Sequence, residues 1–137
     1  MKLLRLDAWN ERRRHLASRY RRRLAGLPGL ICPPGPTPEV EPVYHQFVIQ
    51  VVDRDALKGR LEAARIEPAV HYPRPLHLQP AYGGLGFRRG GFPVSEALSE
   101  RVLSLPIYPE LTEEDQDRIC DVIESHLRAS PVVLSPR

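Results

Sequence analysis

The spacing of hydrophobic residues predicts a chain of helices joined by short extended segments. Near the N-terminus, apolar side chains recur at intervals of three, four or seven residues, which is typical of one face of an α-helix. This stripe consists of Leu6, Trp9, Leu16, Tyr20 and Leu24. The pattern predicts a long helix over residues 3–25, ended by Gly26 and by the Pro28–Gly29 pair. We expect Arg13, which lies at the edge of the stripe, to be a buried ion-pair partner.

Three further helices are predicted downstream, each from apolar spacing and a residue suited to cap its start. The first covers residues 53–64, with Asp53 or Asp55 as the cap, and the second covers residues 93–103, with Ser95 as the cap. Thr112 and Asp115 resemble a capping box that opens the last helix. The side chains expected to face the core are Leu57, Leu61, Ala64, Leu98, Val102, Leu103, Ile119, Val122, Ile123 and Leu127.

Segments rich in β-branched and aromatic residues predict three strands, over residues 43–52, 66–71 and 104–108. Each apolar face must be buried against another element, so we expect an α+β (mixed α/β) fold. Its sheet of about three strands, mixed or antiparallel, would be covered by helices. We divide the chain into a long helix at 1–27, a proline-rich connector at 28–43, a small domain at 44–128 and a tail at 129–137.

Composition and charge narrow the classes of function. The net charge is only +3, but eighteen of the twenty basic residues are arginine, and seven arginines lie between residues 12 and 23. A solvated helix face explains this cluster better than nucleic-acid binding does, because no aromatic side chains for base stacking are interleaved with it. The sequence contains no apolar run long enough to span a bilayer and no secretory signal. With only two cysteines far apart, Cys32 and Cys120, we expect a cytoplasmic protein.

The segment AVHYPRPLHLQPAY, residues 69–82, is the most distinctive in the chain. Its three prolines prevent a continuous helix and stiffen a backbone that carries hydrogen-bonding rings. Together with Phe92–Pro93 and the motif SLPIYPELT at residues 104–112, it resembles the C-terminal small domain of the DegT/StrS family. That family consists of sugar aminotransferases of fold type I that use pyridoxal phosphate (PLP).

The resemblance implies that the parent enzyme, a homodimer, transfers an amino group from an amino acid to a keto-sugar nucleotide. It places His71 and Tyr72 at the active site near the sugar, and we add His77 as a third substrate-binding candidate. In the family the cofactor lysine lies upstream of the matching region, and neither Lys2 nor Lys58 matches its motif. We therefore expect substrate-side residues but no catalytic or cofactor-binding residue, and no PLP bound by this chain alone.

The sequence leaves two other interpretations of the function open and disfavours a third. A fragment of a sugar dehydratase of the same family is not separable from an aminotransferase fragment, because the distinguishing position lies outside the chain. An autonomous arginine-rich interaction module is an alternative from another class. A metal site at His45, His71, His77 and Cys32 is disfavoured, since the spacing does not match known zinc patterns. The first helix also begins without a cap residue, so we expect a truncated helix and a PLP-binding domain as the missing partner.

Overall fold

A computed structural model describes residues 2–129. Its helices pack around a small sheet, in the order expected for an α+β chain. A 3₁₀ turn at Lys2–Arg5 leads into α1 (Leu6–Leu24), and β1 (Leu30–Ile31), β2 (Phe47–Val51) and α2 (Arg54–Ala63) follow. Two 3₁₀ turns, Leu76–Leu78 and Pro80–Leu85, precede α3 (Pro93–Arg101), β3 (Val102–Leu105) and α4 (Glu113–Ala129).

The sheet is antiparallel, with β2 in the centre between β1 and β3. Phe47 lies opposite Leu105, and Ile49 lies opposite Leu103. Side chains alternate along β2, so that Phe47, Ile49 and Val51 are buried while the intervening residues are partly exposed. One buried face fixes the register, because a slip by one residue would turn these three side chains outward.

Two strand predictions are corrected by the structure. Residues 66–71 do not form a strand and contribute only an isolated bridge between Ala69 and Ser104. Pro68 and Pro73 lack the N–H groups that a longer ladder would need. Strand β1 was not predicted, and it lies inside the proline-rich connector. Strand β3 was predicted, but it begins at Val102 instead of residue 104. The predicted tail lies, apart from Ala129 at the end of α4, outside the described residues.

Only the second half of α1 reaches the core. Leu16, Tyr20 and Leu24 are fully buried, as predicted, whereas Leu6 is 41% exposed and Trp9 is only partly buried. The Tyr20 hydroxyl donates a 2.8 Å hydrogen bond to the Pro106 carbonyl oxygen, and burial raises the pKa of this phenol above its usual range. The predicted stripe therefore divides into a packed half and an uncovered half.

Arginines on α1 pair with acidic side chains on α4. Arg19 forms ion pairs with Glu113 at 2.7 Å and with Asp117 at 2.9 Å. Arg23 reaches Asp117, Asp121 and Glu124 at 2.8–3.1 Å. These contacts neutralise much of the cluster and favour the interpretation of a structural helix face over nucleic-acid binding.

Arg13, expected to form a buried ion pair, instead donates a hydrogen bond to Asn10. The start of α4 follows the prediction. Thr112 Oγ accepts the Asp115 N–H at 3.0 Å, and its hydroxyl donates to the Asp115 carboxylate at 2.7 Å. The first of these bonds satisfies one of the free backbone donors at this helix end, and the second orients the threonine hydroxyl.

The orientation of α3 differs from the prediction. Leu98 is 37% exposed, and the residues of α3 that are buried are Glu96 and Ser99. Ser95 forms no capping bond, because α3 begins two residues earlier, at Pro93. Ser95, Leu98 and Ser99 of α3 line a cleft together with residues of the 71–79 segment.

Candidate functional site

The segment that carries the predicted site residues leaves the sheet at a fixed point. The backbone of Ala69 exchanges two hydrogen bonds with Ser104 of β3, at 3.0 and 2.7 Å. Prolines then interrupt regular structure, and short 3₁₀ turns follow. The ring side chains that come after Ala69 are therefore held in an irregular segment whose start is anchored to β3.

His71 is oriented by the same strand. Its Nδ1 forms a 2.9 Å hydrogen bond with Ser104 Oγ, and Ser104 is buried. Within the described residues, Nε2 of His71 has no hydrogen-bond partner. If the serine hydroxyl donates to Nδ1, Nε2 carries a proton to donate; in the other tautomer it offers a lone pair. His71 thus has one nitrogen used for orientation and one available to a ligand.

Tyr72 lies edge-on to His71, with ring centroids 5.6 Å apart, and is 71% exposed. Both residues line an open cleft of about 480 Å³ between the proline-rich segment and α3. Much of the cleft wall is apolar. The other lining residues are Arg74, Pro75, Leu76, His77, Gln79, Phe92, Ser95, Leu98, Ser99 and Val102. All three substrate-binding candidates from the sequence, His71, Tyr72 and His77, are therefore in this one wall.

His77 is held by a carboxylate that the sequence analysis did not single out. Its Nε2 forms a 3.0 Å hydrogen bond with Glu96 Oε1, and its ring lies 4.7 Å from the Phe92 ring. Glu96 also accepts the Gly90 N–H at 2.9 Å and the Phe92 N–H at 3.3 Å. These bonds, the one from Gly90 foremost, hold the pKa of Glu96 below its usual range, against the opposing effect of burial.

Gly90 adopts φ of +89°, a left-handed conformation that favours glycine. This conformation presents its N–H to both Glu96 carboxylate oxygens. The glycine-rich loop over residues 83–91 is thus anchored at Gly90 to the N-terminal turn of α3. A glutamate that accepts hydrogen bonds from backbone positions four and six residues earlier has no simple sequence signal, unlike a capping box.

The other polar candidates lie elsewhere. His45 lines a different surface depression, together with His71 and Ser104, and Tyr82 is not part of the cleft wall. The buried Cys120 has a pKa raised to about 12 by desolvation, which leaves the thiol protonated at neutral pH. Among residues 2–129, no group of three or more His, Cys, Asp or Glu residues is arranged to hold a metal ion.

The residues described do not fit a PLP site. A Schiff base needs a lysine near the cleft, but Lys58 lies on α2, where its ammonium pairs with Glu62, and it does not line the cleft. Lys2, the other lysine, lies in the 3₁₀ turn before α1. No step of PLP chemistry is therefore assigned to these residues. Within the described residues, no helix is long and apolar enough to cross a membrane.

Comparison with known proteins gives consistent matches along most of the chain. A model of the DegT/DnrJ/EryC1/StrS aminotransferase family matches residues 1–124. The chain is 42% identical, over 90% of its length, to 32% of the dTDP-3-amino-3,4,6-trideoxy-alpha-D-glucose transaminase of Streptomyces venezuelae. It is 41% identical, over 91% of its length, to 34% of the erythromycin biosynthesis sensory transduction protein EryC1 of Saccharopolyspora erythraea.

Solved structures agree with these matches. S. venezuelae DesV in complex with a ketimine intermediate superposes with a TM-score of 0.87 at 41% identity, covering 95% of this chain and 34% of DesV. A sugar aminotransferase of Streptococcus pneumoniae, in its PLP form, gives a TM-score of 0.84 at 28% identity and covers 93% and 33%. The chain thus spans about a third of the length of these relatives. It belongs to the DegT/DnrJ/EryC1/StrS aminotransferase family, and its fold is the one that the sequence resemblance implied.

Proposed function

We propose that this chain supplies the substrate side of a nucleotide-sugar aminotransferase and that His71, Tyr72 and His77 contact the sugar nucleotide. The observation that supports the proposal best is the convergence of these three rings on one cleft next to α3. His71 offers a free ring nitrogen, and the exposed phenol of Tyr72 offers both a donor and an apolar ring face. Such groups suit a sugar, which presents hydroxyl groups and apolar C–H faces.

In this proposal the parent enzyme moves an amino group from an amino acid to a keto-sugar nucleotide, and PLP supplies an electron sink for that transfer. PLP would be held by residues that this chain does not match, within the remaining two thirds of the relatives' length. The role of the described residues is to bind and orient the sugar. We also propose that the parent is cytoplasmic, in keeping with two cysteines that form no disulfide. We further propose that it is a homodimer, as the family resemblance implies.

A chimaera tests the proposal. The matched third of the S. venezuelae transaminase is exchanged for this chain, and turnover of the sugar-nucleotide substrate is measured. We expect activity in the chimaera, and we expect His71→Ala or Tyr72→Phe to raise KM by about tenfold, the loss of one good polar contact. Because these residues are proposed to touch the sugar, the absorbance of bound PLP should stay unchanged.

Tyr82→Phe is the matched control, because Tyr82 lies outside the cleft wall, and it should leave KM unchanged. Loss of the cofactor absorbance at constant KM would instead assign His71 and Tyr72 a structural role. Sequencing the DNA upstream of Met1 supplies an independent check. An in-frame region encoding a PLP-binding domain is expected, and its absence would favour an independent protein.

A further inference from the structure

A second cavity lies between α1 and the proline-rich connector. It has a volume of about 420 Å³ and is lined by Arg14, Ser18, Arg21, Arg22, Ala25, Pro36, Glu41, Pro42 and Tyr44. None of these residues belongs to the cleft described above. The residues that α1 contributes are Arg14, Ser18, Arg21 and Arg22. Apart from the adjacent pair Arg21 and Arg22, they are three, four, seven or eight positions apart, so they share one face of the helix.

The arginines of this cavity differ from those that face α4. Arg14 is paired with Glu41 at 3.0 Å. Among the described residues, Arg21 and Arg22 form no ion pair with a carboxylate, and Arg22 donates only to the hydroxyl of Ser18, at 2.9 Å. Three guanidinium groups against one carboxylate leave an excess of two positive charges around the cavity. Arg14 also has a buried Nε–H without an acceptor in the described part of the chain.

The position of Arg21 depends on a glycine. A Cβ atom at Gly35 would lie 1.6 Å from Nη1 of Arg21 and 2.4 Å from its Cζ. The guanidinium therefore rests directly on the connector backbone, at a place that only a residue without a side chain leaves open. Tyr44, itself buried, holds the connector in place by donating a 3.1 Å hydrogen bond to the Pro34 carbonyl oxygen.

We propose that this cavity binds a phosphate-type dianion through Arg14, Arg21 and Arg22. Planar guanidinium groups present parallel N–H donors that match phosphate oxygens, and such bonds are about twice as strong as neutral ones. The excess positive charge fits a group carrying two negative charges, and the Ser18 hydroxyl adds a further donor.

The test uses the 137-residue chain and inorganic phosphate, which is mainly a dianion at mildly alkaline pH, as the probe. Binding is measured by isothermal titration calorimetry at low ionic strength. We expect saturable binding of one equivalent per chain. The double variant Arg21→Gln, Arg22→Gln should weaken binding about tenfold or more, because each charged hydrogen bond contributes more than a neutral one. Arg88→Gln with Arg89→Gln removes the same charge from an exposed loop and should change the affinity by less than about twofold.

Gly35→Ala provides a test that leaves the net charge unaltered. Its Cβ displaces the Arg21 guanidinium, so we expect weaker binding, whereas Gly59→Ala on α2, where a Cβ meets nothing within 4 Å, should bind like the unmodified chain. Circular dichroism confirms that each variant is folded. Absence of saturable binding, or an equal loss of affinity in both arginine double variants, would overturn the proposal. Unchanged affinity in Gly35→Ala would also contradict it.

Discussion

A single carboxylate, that of Glu96, joins His77, the glycine-rich loop and the first turn of α3. It accepts hydrogen bonds from N–H groups of His77, Gly90 and Phe92. Glutamine in its place keeps one acceptor oxygen and turns an NH₂ group toward donors, so Glu96→Gln should speed amide exchange at Gly90 and Phe92 and lower the melting temperature. The matched control is Glu100→Gln, since Glu100 is exposed and, among residues 2–129, pairs only with Arg89. Equal exchange rates in the two variants would contradict this role.

The same carboxylate predicts a pH dependence. Its pKa is lowered in the folded chain by the Gly90 N–H, by His77 and by the Phe92 N–H. A depressed pKa stabilises the fold above the pKa of the unfolded state, about 4.3 for glutamate, and this stabilisation is lost as the pH falls through the folded value. The melting temperatures of the unmodified chain and Glu96→Gln should therefore differ at neutral pH, and the difference should shrink as the pH falls below about 4.3. A difference that stays constant as the pH is lowered would rule out the charged carboxylate as its source.

Three residues of the cleft wall were recognised as candidates from the sequence, but Glu96, which holds His77, was not. The rings of His71, Tyr72 and His77 lie in a proline-rich segment suited to presenting polar groups, and the family resemblance places His71 and Tyr72 near the sugar. Glu96 was missed because a glutamate in the first turns of a helix is usually solvated, and its partner His77 lies 19 positions away. Recognising it requires the path of the intervening loop, which local pattern does not provide.

The α1–α4 contact should depend on Arg23 far more than on its neighbour Arg22. Arg23 reaches three acidic side chains on α4, and its hydrogen bonds to Asp121 and Glu124 raise the pKa of its guanidinium. Within the described part of the chain, Arg22 bonds only to Ser18 on its own helix. Because Arg23 is about a third exposed and screened by solvent, Arg23→Gln should cost about 1 kcal/mol in urea unfolding, and less at high salt. Arg22→Gln should change stability by less than about 0.5 kcal/mol, and equal effects would contradict the ion-pair network.

Helices were predicted more accurately than strands for a physical reason. The period of apolar residues along α1, α2 and α4 is local, and the Thr112–Asp115 cap that opens α4 was recognisable from two residues. Strand pairing depends on partners that are distant in the sequence. No residue pattern near Leu30–Ile31 therefore indicates that this segment pairs with β2. Residues 66–71 have strand-like composition, yet the prolines around them allow only the Ala69–Ser104 bridge.

For the chain as a whole, we expect no PLP-dependent turnover. Lys58 is paired with Glu62 and stands away from the cleft, so its amine is neither desolvated nor placed to react with a bound cofactor. Incubation with PLP, borohydride reduction and mass mapping should give no stoichiometric label at Lys58, and a keto-sugar nucleotide should not be converted. Stoichiometric labelling of Lys58 together with turnover would show that the chain is an enzyme by itself.

Two leucines within the first 16 residues should contribute very differently to the stability of the whole molecule. Leu16 is fully buried against the core, whereas Leu4 is 90% exposed. Leu16→Ala removes packed methyl groups and leaves a cavity, so the free energy of unfolding should fall by about 2–5 kcal/mol. Leu4→Ala should change it by less than about 0.5 kcal/mol.

The exposed leucine belongs to an apolar surface formed by Leu3, Leu4 and Leu6, and such surfaces favour self-association. Sedimentation velocity should therefore show less association for Leu4→Ala than for the unmodified chain. Hydrogen exchange should divide α1 in the same way, with fast amides over residues 6–10 and slow amides over residues 16–24, because only the second half is buried. Uniform protection along α1, with a monomer at all concentrations, would mean that the first half is covered by contacts other than those described.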